Sequence, residues 1–442
     1  MATKKDLIEA QGFSRGRLLS AFLGGAPGGK ELQPARPLRA VIAGVALTAM
    51  VVLAGVFTGL LQPGLPGGWE NNHLIVAKDT GARYVSIEGT LYPVINATSA
   101  RMVIPEGEFQ IISVNQSSLD GVPVGGTIGI LGAPDTLPAP ANLDGERWRA
   151  CSSATGTDVT LGGAAGRSAP EGTGVVVVRD GETFVISGGV SYRVPGDNPT
   201  AVLRALGLDA AERFTVRGEW LSLFRRGDDL VPLRLMNTKS SLADLDLPTG
   251  TIVHVAGSPE DERYVLTADG ALAPLSPLAH RLYLLGTGAG ELGETVELSP
   301  ADIADLATRS ALGRTTWPRE PLTPLEDLRS PCARLTGDRS EQTTVLAAAR
   351  DEPDVENTDG AIRITMPEDG GALVRGGRAG TLTLIDGSGT AFAVPGEVDA
   401  GVAHLGYSPD DVTVVPPEWL MLLPAGPELT PDAAGSTPGS TL

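Results

Sequence analysis

The stretch LGLDAAERFTVRGEWLSLFRRGDDLVP, residues 206–232, recurs without a gap as LGYSPDDVTVVPPEWLMLLPAGPELTP at residues 405–431. Ten positions are identical, and the signature Glu219-Trp220 of the first copy matches Glu418-Trp419 of the second. With the residues just upstream, each copy is predicted to read strand, turn, strand, a short helix around Leu-Gly, and a strand that ends in Glu-Trp-Leu. Chance similarity explains so long an ungapped match poorly. We name the two copies repeat B and repeat B′.

The match extends upstream after a shift of one residue. There Gly189, Tyr192, Val194 and Pro195 correspond to Gly389, Phe392, Val394 and Pro395. Short Val/Ile/Leu/Thr runs separated by Gly and Pro, which number 57 and 34 of the 442 residues, are typical of many short strands joined by tight turns.

A weaker pair of repeats precedes these two. Arg83-Tyr84-Val85 with the following Gly89, Leu91 and Pro93 resembles Arg263-Tyr264-Val265 with Gly270, Leu272 and Pro274. Chance similarity among Gly-rich hairpins is a reasonable alternative here. With repeats A and A′ included, the chain has two similar halves. The predicted organisation is head 1–39, span 40–61, repeat A 62–120, central domain 121–175, repeat B 176–235, repeat A′ 236–285, second central part 286–375, repeat B′ 376–429 and disordered tail 430–442.

The two cysteines occupy equivalent positions in the two halves. Cys151 and Cys332 are 181 residues apart, which is the offset that relates A to A′. Outside the cytoplasm such a pair indicates a disulfide. A catalytic or metal-binding pair is the alternative, but no His/Cys cluster accompanies either residue. We therefore expect a bridge that ties the two halves together at a central domain.

An uncharged run of 22 residues, Ala40–Leu61, follows a basic head and predicts a transmembrane helix, for which about 20 residues suffice. The head carries seven Lys/Arg and three Asp/Glu, so the N-terminus is expected in the cytoplasm and the rest of the chain outside. A cleaved signal peptide is the alternative. Within the run, Gly55 and Gly59 are spaced to let another helix approach closely. Residues 6–23 predict a basic amphipathic helix at the cytoplasmic face.

The remainder of the chain is strongly acidic. Removing the charges of the head from 34 Lys/Arg and 53 Asp/Glu leaves a formal charge of −23. Such a surface repels nucleic acid, so we expect no nucleic-acid partner outside the membrane.

Motifs that could carry catalysis are incomplete. The loop Gly24–Lys30 has phosphate-loop spacing, but Glu31 stands where Ser or Thr is needed for magnesium. The stretch Gly288–Gly293 fits a dinucleotide motif, yet the following residues predict a strand rather than a helix. The four histidines, His73, His254, His280 and His404, are scattered. We therefore predict no catalytic residues, no cofactor and no metal.

Taken in order, these segments resemble the EccB family, a membrane component of type VII (ESX) secretion systems of actinobacteria. The resemblance rests on the head with Thr3–Asp6 and Phe13–Arg15, the single span, Gly89–Val94, Gly129–Pro134, Trp148–Cys151, Pro331–Ala333 and the Glu-Trp-Leu repeats. It implies a bitopic protein of the inner membrane whose elongated, β-rich α+β periplasmic region has four repeats around a disulfide-linked central domain.

The resemblance also implies partners and leaves rival functions open. The implied partners are the EccC ATPase, EccD, EccE, a mycosin protease and further copies of the chain itself. The function expected is a structural core component that supports protein export. An ATPase of the same system and a cell-wall-binding module are the alternatives, and the incomplete phosphate loop gives the ATPase no standard nucleotide motif.

Overall fold

The computed structural model describes residues 3–24, 37–60, 64–163, 166–196, 199–235, 241–242, 247–287, 294–326, 329–348 and 360–439. The chain divides into two compact units, of which the N-terminal one is formed by Met1–Pro66 with Ser117–Leu119. It contains helices α1 (Lys4–Gly24) and α2 (Pro37–Leu60).

Helix α1 lies where the sequence predicts a helix, but the prediction that this helix is amphipathic is wrong. At 100° per residue Arg15 falls inside the arc occupied by Leu7, Leu18 and Leu19, and Phe13 points away from that arc. Charged and apolar residues therefore share one side of the helix, and its polar and apolar faces are not separated.

Helix α2 overlaps the predicted span. Within the described part of the chain, no helix satisfies both the length and the hydropathy that a membrane crossing requires. The single-pass topology therefore stays a prediction.

The second unit, Gly67–Gln116 and Asp120–Leu442, is built from short strands. Repeat A contains β1 (His73–Ala77), β2 (Arg83–Ile87), β3 (Thr90–Pro93), α3 (Ala97–Val103) and β4 (Gln110–Val114). The central strands β5 (Trp148–Ser152) and β6 (Thr157–Leu161) follow. Repeat B contains β7 (Thr173–Arg179), β8 (Glu182–Ser187), β9 (Val190–Val194), α4 (Thr200–Leu206), β10 (Arg213–Thr215), α5 (Gly218–Leu221) and β11 (Arg225–Arg226).

The second half repeats this order. A two-stranded ribbon, β12 (Ser241–Leu242) and β13 (Leu247–Pro248), precedes repeat A′, which contains β14 (Ile252–Val255), β15 (Arg263–Leu266), β16 (Leu272–Leu275), α6 (Pro277–Thr287) and β17 (Thr295–Leu298). Next come β18 (Thr323–Pro324), β19 (Cys332–Asp338), β20 (Glu341–Leu346) and β21 (Ile362–Thr365). Repeat B′ contains β22 (Ala372–Gly376), β23 (Leu382–Ile385), β24 (Ala391–Val394), α7 (Val398–Leu405), β25 (Val412–Val415), α8 (Pro417–Leu420) and α9 (Pro431–Gly435).

All four repeats have the same topology, including A and B, which the sequence does not relate to each other. Three antiparallel strands are followed by a helix and a fourth strand that lies parallel to the first, so the spatial order is 3-2-1-4. The relevant parallel pairs are β1–β4, β7–β10, β14–β17 and β22–β25. The central sheet, in the order β20-β19-β5-β6-β21, takes strands from both halves.

The turns follow from residues that tolerate positive φ. Asp180 and Gly181, with φ of 50° and 81°, form the two-residue loop between β7 and β8. Two consecutive positive φ values are what a tight hairpin needs to match the strand twist. Helices α4 and α7 also end at residues with positive φ, namely Gly207 at 83° and Gly406 at 79°.

Each repeat also has a return segment that lies parallel to its third strand. In repeat A the N–H of Ile128 donates to the carbonyl of Pro93, and in repeat A′ the N–H of Leu312 donates to that of Pro274. The same bond joins Leu230 to Arg193 in repeat B and Leu429 to Ala393 in repeat B′.

Several predicted boundaries and elements are therefore wrong. The return segment of repeat A lies in the predicted central domain, and β17 shows that the sheet of repeat A′ extends to Leu298 rather than ending at 285. The sheet of repeat B′ begins at Ala372 rather than 376. The Glu-Trp-Leu signature forms helices α5 and α8, not the end of a strand.

The prediction of a disordered tail at 430–442 is also wrong for its first residues, which form α9. Thr430 caps α9 by accepting a hydrogen bond from the N–H of Ala433, and Pro431 at the first turn has no N–H to leave unpaired. Ala434 is buried against Met102 of repeat A. This packing fixes a segment whose composition alone predicts disorder.

Candidate functional site at the central sheet

The predicted disulfide joins Cys151 to Cys332. The two residues stand directly opposite each other on the antiparallel strands β5 and β19, and their Cα atoms are 4.0 Å apart. Both are buried and contact Ala347. Because β5 belongs to the first half of the chain and β19 to the second, the bridge links the two halves at the middle of the central sheet.

The signature tryptophans pack against the opposite face of this sheet. Side chains alternate along a strand, so Trp148 and Ala150 of β5 face away from Cys151. Trp220 is fully buried there, and its indole N–H donates to the carbonyl of Ala150 at 2.8 Å. Trp419 is also fully buried; its N–H donates to the hydroxyl of Thr344 at 2.9 Å. The tryptophans thus anchor repeats B and B′ to one core.

The glutamates of the signature differ from the tryptophans in exposure. The side chain of Glu219 is 49% exposed and lies 3.7 Å from the guanidinium of Arg217. Glu418 is half-buried and lines a cavity together with residues of repeat B. The tryptophans therefore stabilise the fold, whereas both glutamates lie at a surface.

The two halves are interleaved. Met102 on α3 of repeat A packs in one cluster with Leu405 and Leu429 of repeat B′. On the other side, Leu278 and Leu282 of α6 in repeat A′ pack with Leu203 and Leu206 of α4 in repeat B. Each A repeat is thus covered by the B repeat of the other half, so that neither half completes its own core.

Polar contacts strengthen the contact between A′ and B. The hydroxyl of Tyr192 donates to the carbonyl of Thr316 at 2.5 Å, and the hydroxyl of Thr316 donates to a carboxylate oxygen of Asp228 at 2.8 Å. The indole N–H of Trp317 donates to the carbonyl of Asp229 at 3.2 Å. Strand β18 extends this contact by pairing with β7.

A half-buried tyrosine lies at the corresponding contact between A and B′. The hydroxyl of Tyr407 donates to the carbonyl of Pro138 at 2.8 Å. Burial raises the pKa of Tyr407 to about 12, although the nearby Arg101 opposes the rise. The same burial lowers the pKa of Arg101.

The four histidines are not brought together. His73, His254 and His404 each lie within hydrogen-bond distance of a carbonyl a few residues away in the chain. Burial, with Arg263 and Arg281 as further causes, lowers the pKa of His280. Among the described residues, no group of three or more His, Cys, Asp or Glu could hold a metal ion.

Other predicted features lie outside what the structure describes. Residues 25–30 of the phosphate-loop-like stretch and residues 288–293 are among them, as are the surroundings of Gly55 and Gly59. The expectations drawn from these residues stay predictions.

Two adjoining cavities over repeat B were not predicted. Their volumes are about 570 and 530 Å³, and five arginines between positions 179 and 226 line them. No motif marks these arginines because three different strands and one helix-flanking loop supply them. A comparison of repeat B with repeat B′ would have singled out four of them, since B′ has no arginine at the positions aligned with Arg193, Arg217, Arg225 and Arg226.

A family profile matches residues 1–439, and its description is Type VII secretion system ESX-1, transport TM domain B. The chain belongs to the EccB family. The ESX-3 secretion system ATPase EccB3 of Mycolicibacterium smegmatis is 27% identical over 396 residues, which cover 82% of this chain and 73% of that relative. The ESX-5 secretion system ATPase EccB5 of Mycobacterium tuberculosis is 25% identical over 316 residues, which cover 66% of this chain and 61% of that relative.

Solved structures have the same fold as this EccB-family chain. A chain of an intact ESX-5 inner membrane complex matches it with a TM-score of 0.65 at 20% identity, covering 100% of this chain and 96% of that chain. An EccB3 dimer from the ESX-3 core complex also gives 0.65, at 23% identity, covering 82% and 99% of the two chains. The sheet-rich architecture of this chain is therefore shared with both solved structures.

Proposed function

We propose that this EccB-family protein is a structural core component of a type VII secretion membrane complex and supports protein export across the inner membrane. The observation that carries the proposal is the match to the family over residues 1–439. The interleaved core suits the role, because a body whose halves cover each other's repeats holds its outer surfaces at fixed positions. The signature tryptophans stabilise that body.

The proposed topology is a single span at residues 40–61 with the head in the cytoplasm and the repeats in the periplasm. The basic head and the acidic remainder support this orientation. A membrane-impermeant thiol reagent should label Ser14→Cys only after cell lysis, in a background in which Cys151 and Cys332 are replaced by Ser. Labelling of intact cells at position 14 would contradict the orientation.

The proposed partners are EccC, EccD, EccE and the mycosin protease, together with further copies of the chain. Self-association is supported by the relative that was solved as an EccB3 dimer. In this scheme the head and the span carry assembly, because they lie outside the disulfide-linked body.

Three variants test the scaffold role at matched expression. Deletion of residues 3–23 should abolish recovery of the complex and secretion while the repeats stay folded. Gly55→Leu with Gly59→Leu should weaken assembly more mildly, since bulky side chains keep a partner helix away. Lys30→Ala should leave secretion unchanged. Loss of secretion with Lys30→Ala, together with normal secretion without residues 3–23, would contradict the scaffold role.

ATP hydrolysis is the second candidate, because the EccB3 and EccB5 relatives carry the name ATPase. The full chain purified in detergent should be assayed for phosphate release from ATP, with Lys30→Ala as the matched variant. Turnover that copurifies with the chain and disappears in the variant would favour the enzyme. We expect no turnover above that of a sample without the chain.

A further inference from the structure

A groove runs across one face of repeat B. The cavities of about 570 and 530 Å³ share Arg179 and Gly218 and therefore form one continuous depression. A Cβ at Gly218 would stand 2.9 Å from the guanidinium carbon of Arg179, so the absence of a side chain at 218 makes room for this arginine. We call this depression the arginine groove; its arginines are Arg179, Arg193, Arg217, Arg225 and Arg226.

The sheet and a helix form the two walls of the groove. Phe184 on β8 stands opposite Arg193 on β9, so both side chains point to the same face of the sheet. Helix α5 and the residues after it lie opposite, where Leu221 and Phe224 are 6% and 3% exposed and belong to the core beneath the groove. Helix α4 packs on the other face of the sheet, where Val185 contacts Leu203. The groove is thus open to solvent between the sheet and α5, and helix α8 of repeat B′ borders it through Glu418.

Carboxylates within repeat B orient most of these arginines. Arg193 bridges Glu182 at 3.0 Å and Asp229 at 2.9 Å, and Arg179 lies 3.1 Å from Asp180. Arg217 and Arg226 have looser contacts, at 3.7 and 3.9 Å. For Arg225, no carboxylate of the described residues lies within ion-pair distance. An exposed cation therefore stands at the mouth of the groove beside guanidiniums that are held in place.

Four of these arginines have no counterpart in repeat B′. In the gap-free alignment, Arg217, Arg225 and Arg226 correspond to Pro416, Pro424 and Ala425 of repeat B′. Upstream, Arg193 corresponds to Ala393. Repeat B′ nevertheless forms the same strands, helix and return segment. Four of the five arginines of the groove, in a chain whose charge beyond its head is −23, thus have no counterpart in a repeat that folds in the same way.

We propose that the arginine groove binds an extended acidic peptide segment of a partner protein. Guanidinium groups bind carboxylates through paired hydrogen bonds, and the half-buried ring of Phe184 offers an apolar contact to the side chains between those carboxylates. Asp180, Glu182, Glu219 and Glu418 also line the groove, so a compact, doubly charged phosphate would meet repulsion from several sides. A peptide can place its carboxylates at the arginines and its neutral residues at the glutamates. The proposal goes beyond the scaffold role and does not depend on it.

The test is fluorescence anisotropy with the full chain in detergent and a fluorescein-labelled peptide of alternating Glu and Leu. The control peptide has Gln in place of every Glu. We expect binding of the acidic peptide only, and its loss at 1 M salt, where the Debye length falls to about 3 Å. Equal binding of the two peptides would overturn the proposal.

Variants locate the site. Arg225→Ala with Arg226→Ala should weaken binding about tenfold, since two exposed charge-assisted contacts are removed. Both side chains are exposed, so the thermal transition should not change. The matched control is Arg204→Ala on α4, which has a side chain 70% exposed on the other face of the sheet. Unchanged affinity in the double variant would overturn the proposal, as would displacement of the peptide by millimolar inorganic phosphate.

Discussion

The ring of Tyr192 lies over the Cα of Gly227, so that a Cβ at position 227 would stand 2.6 Å from Cε1 of the ring. The same relationship joins Tyr92 to Gly125 and Phe392 to Gly426, at 2.5 and 2.3 Å. In repeat A′ the corresponding positions hold Ala273 and Arg309, where the N–H of Arg309 bonds to the carbonyl of Leu272. A large ring on the third strand thus requires glycine on the return segment, and a small side chain releases that requirement.

This contact predicts that Gly227→Ala destabilises the fold by about 1–3 kcal/mol, because the new methyl group overpacks the ring. In a Tyr192→Ala background the same change should cost much less, which a double-mutant cycle in urea measures. Gly126→Ala is the control, since a Cβ there meets nothing within 4 Å and the φ angle is not positive. Equal costs in the two backgrounds would show that the ring is not the cause.

Replacing Cys151 and Cys332 together by Ser should lower the free energy of unfolding by about 2–5 kcal/mol. The bridge spans 181 residues and so restricts the unfolded chain strongly, although the size of this effect depends on the entropy model. Urea unfolding of the oxidised protein, the reduced protein and the double variant makes the comparison. A variant as stable as the oxidised protein would show that the paired strands alone hold the central sheet.

The signature dipeptides should respond unequally to substitution. Trp220→Ala and Trp419→Ala should each cost about 3–5 kcal/mol, because a fully buried ring and an indole hydrogen bond are removed from the shared core. Glu219→Gln and Glu418→Gln, at adjacent positions, should change stability by no more than about 0.5 kcal/mol. Chemical denaturation compares the four variants. A large loss with either glutamine would assign the glutamates a part in folding.

The contribution of Tyr407 to the free energy of unfolding should depend on pH in the alkaline range. The pKa of Tyr407 is about 12 in the folded protein and 10.0 in the unfolded chain. The neutral phenol therefore stabilises the fold in full below pH 10, and this stabilisation is lost as the pH rises through 12. Tyr407→Phe should cost about 1 kcal/mol at neutral pH through the lost hydrogen bond. The difference from wild type should shrink between pH 10 and 12, as measured by urea unfolding at each pH. A difference in stability that stays constant with pH would contradict a half-buried phenol that is held neutral in the folded protein.

The sequence reveals repeats B and B′ because their identical residues stand where the backbone or the core permits few alternatives. Gly207 and Gly406 have positive φ, Gly227 and Gly426 lie under rings, and the tryptophans are buried. The return segment Val124–Ile128 escapes prediction because it pairs only through isolated bridges and shows no strand-length periodicity. The packing of Met102 against Leu405 escapes it too, since local patterns do not specify which distant repeat covers a helix.

Because each half covers the repeats of the other, we expect that a fragment containing only one half does not form a stable core. A fragment of residues 64–235 contains repeats A and B but lacks the B′ residues that cover α3, the A′ residues that cover α4, and strand β19 next to β5. It should therefore show no cooperative unfolding transition by circular dichroism in urea. Adding a fragment of residues 236–439 under oxidising conditions should restore the transition, because each half supplies the other's missing core. Cooperative unfolding of residues 64–235 alone would mean that the halves are independent and that the contacts between A and B′ only join finished domains.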